Sequence, residues 1–71
     1  MKLTTLHRRR MANLRWLIVE HSREHLAWRL GYRHTSFLSQ MAGPNPSRVV
    51  TEKTARKIER VLKLVPLSLD Q

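Results

Sequence analysis

Cysteine is absent from this sequence, and glycine, proline, aromatic and acidic residues are all scarce. Without cysteine there are no disulfides, no thiolate metal sites and no thiol nucleophile, which fits a reducing compartment. The two glycines, Gly31 and Gly43, leave no glycine-rich loop to cradle a nucleotide phosphate. Long apolar runs are missing too. The longest, Trp16-Leu17-Ile18-Val19, falls far short of the ~20 residues a membrane span needs. No apolar stretch of signal-peptide length follows Arg8-Arg9-Arg10. With nothing to direct export, a cytoplasmic protein is expected.

The shortage of acid is matched by an excess of base. Five Asp and Glu stand against fourteen Lys and Arg, a formal net charge of +9 over 71 residues, with an isoelectric point near 11.7. A field of that sign and density favours a polyanionic partner: nucleic acid first, an anionic membrane second, an acidic protein third. The length predicts one domain, residues 1–71. So short a chain buries only about 60% of its unfolded surface, which leaves little room for a deep substrate cleft beside the core.

The few glycines and prolines cut the chain into helical pieces. Thr4 or Thr5 can cap a first helix reaching about His21. Met11, Leu14, Leu17, Ile18 and His21 supply its buried stripe, and Arg8, Arg9, Arg10 and Arg15 point mostly elsewhere. Ser22 is placed to cap a short second helix, Arg23 to Leu30, with Leu26, Ala27 and Leu30 inward and Gly31 ending it in a left-handed turn. A third helix starts near Thr35 or Ser36 and runs to Ala42, burying Phe37 or Leu38 together with Met41. Gly43-Pro44-Asn45-Pro46 stops it. Thr51 caps a fourth helix from Glu52 to about Leu64, with Ala55, Ile58, Val61 and Leu62 inward, and Pro66 opens a last short turn through Leu69. The expected fold is all-α, a compact bundle of about five short helices with no sheet.

The segment Ser22 to Gly43 carries the functional signal. Two short helices joined by a tight glycine turn make a helix-turn-helix, whose second helix enters the DNA major groove. Such a unit needs a small residue where its helices cross, here Ala27, and a residue at ease with positive φ in the turn, here Gly31. Its second helix needs one apolar face (Phe37, Leu38, Met41) and one short polar face (Thr35, Ser36, Ser39, Gln40).

Leu26-Ala27-Trp28-Arg29-Leu30-Gly31-Tyr32 followed by Ser36-Phe37-Leu38-Ser39-Gln40-Met41-Ala42-Gly43 resembles the lambda-repressor-like family of phage and bacterial regulators. Thr51-Glu52-Lys53-Thr54-Ala55-Arg56-Lys57-Ile58-Glu59 is similar to the fourth helix of many phage-type repressors. The resemblance covers roughly residues 10–70. It implies a five-helix bundle binding operator DNA in a sequence-specific way, usually as a homodimer that represses transcription near the nucleoid of a bacterial or phage-infected cell. Between Gly31 and Leu38 the chain carries one residue more than the most compact members. The recognition helix can therefore begin at Arg33, His34 or Thr35.

Ser36, Ser39 and Gln40 are the first candidates for base readout, followed by Thr35 and His34. Glutamine can bond adenine in a bidentate way, and serine can address several base edges. Arg33 can reach guanine or phosphate. Arg23, at the start of the second helix, is a phosphate candidate, as are Arg29, Asn45, Arg48, Lys53 and Lys57. Glu52–Arg56 and Glu59–Lys63 have the spacing of ordinary surface ion pairs. Arg8-Arg9-Arg10 is either a DNA-touching arm or a solvated helix face. Trp16, Trp28 and Tyr32 fit core or interface better than base stacking.

Catalysis and metal binding find little support. His21 and His25 have the spacing of a helical metal pair, but no third ligand completes the set, and a helix break at Ser22 would separate their faces. Ser22, Glu24 and His25 are too close in sequence to form a hydrolase triad. No cofactor and no small-molecule ligand is expected, and the chain is not expected to be an enzyme. Val65, Leu67 and Leu69 are candidates for a dimer surface. Two other readings fit the composition: a non-specific RNA- or DNA-binding protein, and a basic helical module that binds an acidic protein.

Overall fold

The structure is a computed structural model that describes residues 3–71. Among these residues the chain forms four α-helices, one terminal 3₁₀ turn and no strand. α1 spans Thr5–His21, and its N-cap Thr4 accepts a hydrogen bond from the His7 N–H. The single residue Ser22 joins it to α2, Arg23–Leu30, and caps that helix by accepting from the His25 N–H at 3.2 Å. Gly31, at φ 81°, ends α2 in the left-handed region. α3 is Ser36–Ala42, α4 is Glu52–Val61 behind the cap Thr51, and the 3₁₀ turn is Ser68–Asp70.

α1 is the spine. It packs against α2, α3 and the terminal turn, while α4 packs against α2 and the same turn. The radius of gyration is 11.0 Å, close to the ~11 Å expected of a compact globule of this length. Leu14, Leu26, Leu38, Met41, Val50, Ile58 and Leu69 are the largest fully buried side chains. Each such burial contributes about 1.5–3 kcal/mol. No helix among the described residues is long and apolar enough to cross a membrane.

Several expectations require correction. The last helical piece is a 3₁₀ turn, so the α-helices number four. α4 ends at Val61, three residues short of Leu64, because Lys63 turns to φ 57° and the Leu64 N–H folds back onto the Glu59 carbonyl at 2.8 Å. His21 is exposed, since α1 outruns the core at its end, and Phe37 is only half-buried where Leu38 is fully enclosed. Leu69, nominated for a dimer surface, is 1% exposed and belongs to the core, as does Val50. Trp16 and Trp28 lie in solvent rather than in the core.

The arginines depart furthest from expectation. Arg10 is buried, with its Nε on Asp70 Oδ1 at 2.7 Å and a guanidinium N–H on the Val50 carbonyl at 3.2 Å. Arg15 donates to the carbonyls of Ala42 and Gly43 at 3.0 and 2.9 Å, and so caps the C-terminus of α3. Glu52–Arg56 forms as expected, but Glu59 does not pair with Lys63. Glu59 is buried beside Arg56 and accepts the main-chain N–H groups of Leu67 and Leu69, each at 3.0 Å. Asn13 completes this cradle by donating to the Leu69 and Gln71 carbonyls.

Candidate nucleic-acid interface

α3 has seven residues and two unlike faces. Leu38, Met41 and Ala42 enter the core. Ser36, Ser39 and Gln40 share the opposite side, because residues three and four apart lie one above the other on a helix. The arrangement is held from both ends. Upstream, the Tyr32 N–H bonds the Ala27 carbonyl at 2.8 Å, and the Tyr32 ring packs against Phe37 at 4.8 Å between centroids. Lys57 of α4 places its Nζ 5.0 Å from the Tyr32 ring centre, and burial pushes the Tyr32 phenol pKa up. Downstream, Arg15 holds the last carbonyls, and a Cβ at Gly43 would run into the Ser39 carbonyl oxygen.

The polar side of α3 forms the floor of an open concavity of about 970 Å³. All six residues nominated for base readout line it: Arg33, His34, Thr35, Ser36, Ser39 and Gln40. Asn45, expected on a phosphate, lines the same concavity together with Pro44 and Ser47. The helix begins at Ser36; Thr35 holds the N-cap position without a side-chain cap bond. Glu24, from the first turn of α2, also borders the concavity, a carboxylate weighed from sequence only as a triad member and not as a neighbour of the DNA-reading residues. Its neighbour Arg23 was a nominee, and the pairing of opposite charges at one helix start was the available signal. Ser47 was missed because it sits in a loop with no periodicity to place it.

The phosphate candidates are more dispersed. Arg23 is exposed at the start of α2, and Lys53 is exposed in the first turn of α4. Arg48 borders a second concavity of about 480 Å³ with Phe37 and Thr54. Arg29 lies apart from this group, donating to the Val61 carbonyl at 2.9 Å and closing the end of α4. Arg8 and Arg9 are exposed on α1.

The four histidines yield one unexpected contact. Despite the backbone reversal at Ser22, the rings of His21 and His25 stack with centroids 6.1 Å apart, and Trp28 lies 6.1 Å beyond His25. Among the described residues no cluster of three or more His, Asp or Glu could hold a metal ion. No protein-family model matches this chain, and no curated protein or solved structure does either.

Proposed function

We propose that the chain is a sequence-specific double-stranded DNA-binding regulator of the lambda-repressor-like kind. In this reading Ser22 to Gly43 is a helix-turn-helix, with α2 as support and α3 entering the major groove. The observation that carries the reading is the shared concavity: Arg33, His34, Thr35, Ser36, Ser39 and Gln40 line it, while Leu38, Met41 and Ala42 of the same helix face inward. The formal charge of +9 supplies the attraction for phosphate. As a homodimer the protein would place two α3 helices about 34 Å apart on a pseudo-palindromic operator. Repression would follow by occluding the promoter.

A second reading draws on Trp16 and Trp28, which are 62% and 73% exposed and do not line that concavity. Exposed aromatics on a basic protein suit stacking on single-stranded bases. A fluorescence-anisotropy titration separates the two readings, using random duplex, duplex from the promoter beside the protein's own gene, and random RNA at two salt concentrations. A specific regulator prefers one duplex by roughly 10³ or more over random DNA, and Ser39→Ala weakens that binding by about 1–3 kcal/mol while leaving random duplex unchanged. Equal, steeply salt-dependent binding to every probe would defeat the operator-reading role.

A further inference from the structure

Gln40 and Arg48 are joined at two points, one on the main chain and one between side chains. The Gln40 main-chain carbonyl accepts the N–H groups of Ser47 and Arg48 at 2.8 and 3.0 Å. Its side-chain Oε1 accepts from Arg48 Nε at 2.7 Å. The guanidinium carbon of Arg48 also lies 5.1 Å from the ring centre of Phe37, one turn earlier on α3. Arg48 is therefore fixed at its root by the main chain and at its guanidinium by the Gln40 amide oxygen and an aromatic face.

A glutamine amide has one oxygen acceptor and two N–H donors. Bidentate reading of adenine uses both kinds, the oxygen for N6–H and the nitrogen for N7. Here the oxygen already faces a cation, so a base N–H directed at it would approach a positive charge. One lone pair of that oxygen stays open but lies beside the cation, so the favoured groups left for a base are donors: the Gln40 amide N–H groups, on the base-reading concavity, and the unused N–H groups of Arg48, which borders the neighbouring one. Guanine presents two acceptors in the major groove, N7 and O6, and adenine presents one acceptor and one donor.

We infer that Arg48 is a positioning residue that fixes Gln40 as a donor, so that the pair reads guanine where an unpaired glutamine would read adenine. The inference rests on the DNA-reading role proposed above, and it gives Arg48 a part in specificity in place of a phosphate contact. It assigns Gln40 one base pair of the site and a defined preference there.

The test is selection and sequencing from a pool of short duplexes with a randomised centre, with the wild type, Arg48→Met and Gln40→Glu, each checked for helical circular dichroism. The wild type selects guanine at one position of the half-site. Arg48→Met frees the amide oxygen and shifts that position toward adenine, changing the guanine-to-adenine ratio by about ten-fold. Gln40→Glu keeps the pairing to Arg48 but offers acceptors, and shifts the same position toward cytosine, whose N4 donates. An unchanged base profile with uniformly weaker binding in Arg48→Met would return Arg48 to a phosphate role and overturn the inference. So would a wild-type preference for adenine at the position that Gln40→Glu alters. If the wild type enriches no sequence at all, the sequence-specific role fails first, and this assignment falls with it.

Discussion

The Arg10 guanidinium, at the start of α1's buried stripe, meets the Asp70 carboxylate sixty residues later, Nε to Oδ1 at 2.7 Å. Arg56 approaches the same carboxylate oxygen at 2.8 Å. Hydrogen bonds from Arg10 and then Arg56 lower the Asp70 pKa from 3.8 to about 2. A carboxylate whose folded pKa is depressed stabilises the fold in its charged form. Its contribution is complete above the ordinary value near 3.8 and is lost as pH falls through about 2. Asp70→Asn is therefore less stable than the wild type at neutral pH, and the difference closes as the solution is acidified across that window. Urea unfolding of both proteins at stepped pH measures it; a gap that persists unchanged at the acid end would contradict the assignment.

Arg15 bonds the carbonyls of Ala42 and Gly43, so it orders the end of the helix that carries the candidate base-reading residues. Hydrogen bonds from a charged donor contribute more than neutral ones, and a cation at a helix C-terminus is favourable. Arg15→Met keeps the apolar stem and removes both bonds. The expected loss is about 1–2 kcal/mol of stability, with amide exchange fastest near Ala42 and Gly43. Uniformly faster exchange with no local excess there would argue against a capping role.

Ser22 combines a favourable side chain with an unfavourable backbone. Its oxygen caps α2, yet it sits at φ 72° and ψ 155°, a region that only glycine occupies freely. Glycine at an N-cap is only a few tenths of a kcal/mol worse than serine, and relief of the backbone strain is worth about 1–3 kcal/mol. Ser22→Gly should raise the unfolding midpoint, even after the entropy of the freer unfolded chain. Ser22→Ala keeps the strain and loses the cap, and should cost about 1 kcal/mol. Opposite signs for the two variants are the diagnostic result, and thermal unfolding reads both.

The helices were legible where local chemistry decides. Thr4, Ser22 and Thr51 accept the hydrogen bonds their types imply, and Gly31 takes the positive φ expected at the end of α2. The polar face of α3 was legible for the same reason, since its spacing alone groups Ser36, Ser39 and Gln40. Arg10 was misplaced because its charge outweighed its position. It stands four residues before Leu14 and seven before Leu17, on the stripe that turns inward, and that register was the clue. Glu59 carried the same clue, four residues after Ala55 and three before Leu62, but its partners did not. Its partners, the Leu67 and Leu69 N–H groups, belong to a segment without periodicity, and only tertiary folding brings them to the end of α4. The early stop of α4 has a similar origin, because the left-handed turn falls on Lys63 rather than on a glycine. The contact between Gln40 and Arg48 crosses a loop whose course no sequence pattern dictates.

The turn at residues 68–70 has a consequence for how α1 is held. Leu69 fills the core, Asp70 neutralises Arg10, and α1 packs on both this turn and α3. A chain lacking residues 69–71 would leave a cavity under α1 and a guanidinium with no carboxylate beside it, held by the Val50 carbonyl alone. Full packing of α1 is therefore reached only with residues 69 and 70 in place. The turn bears on α3 at one remove, by completing the packing of the helix on which α3 rests.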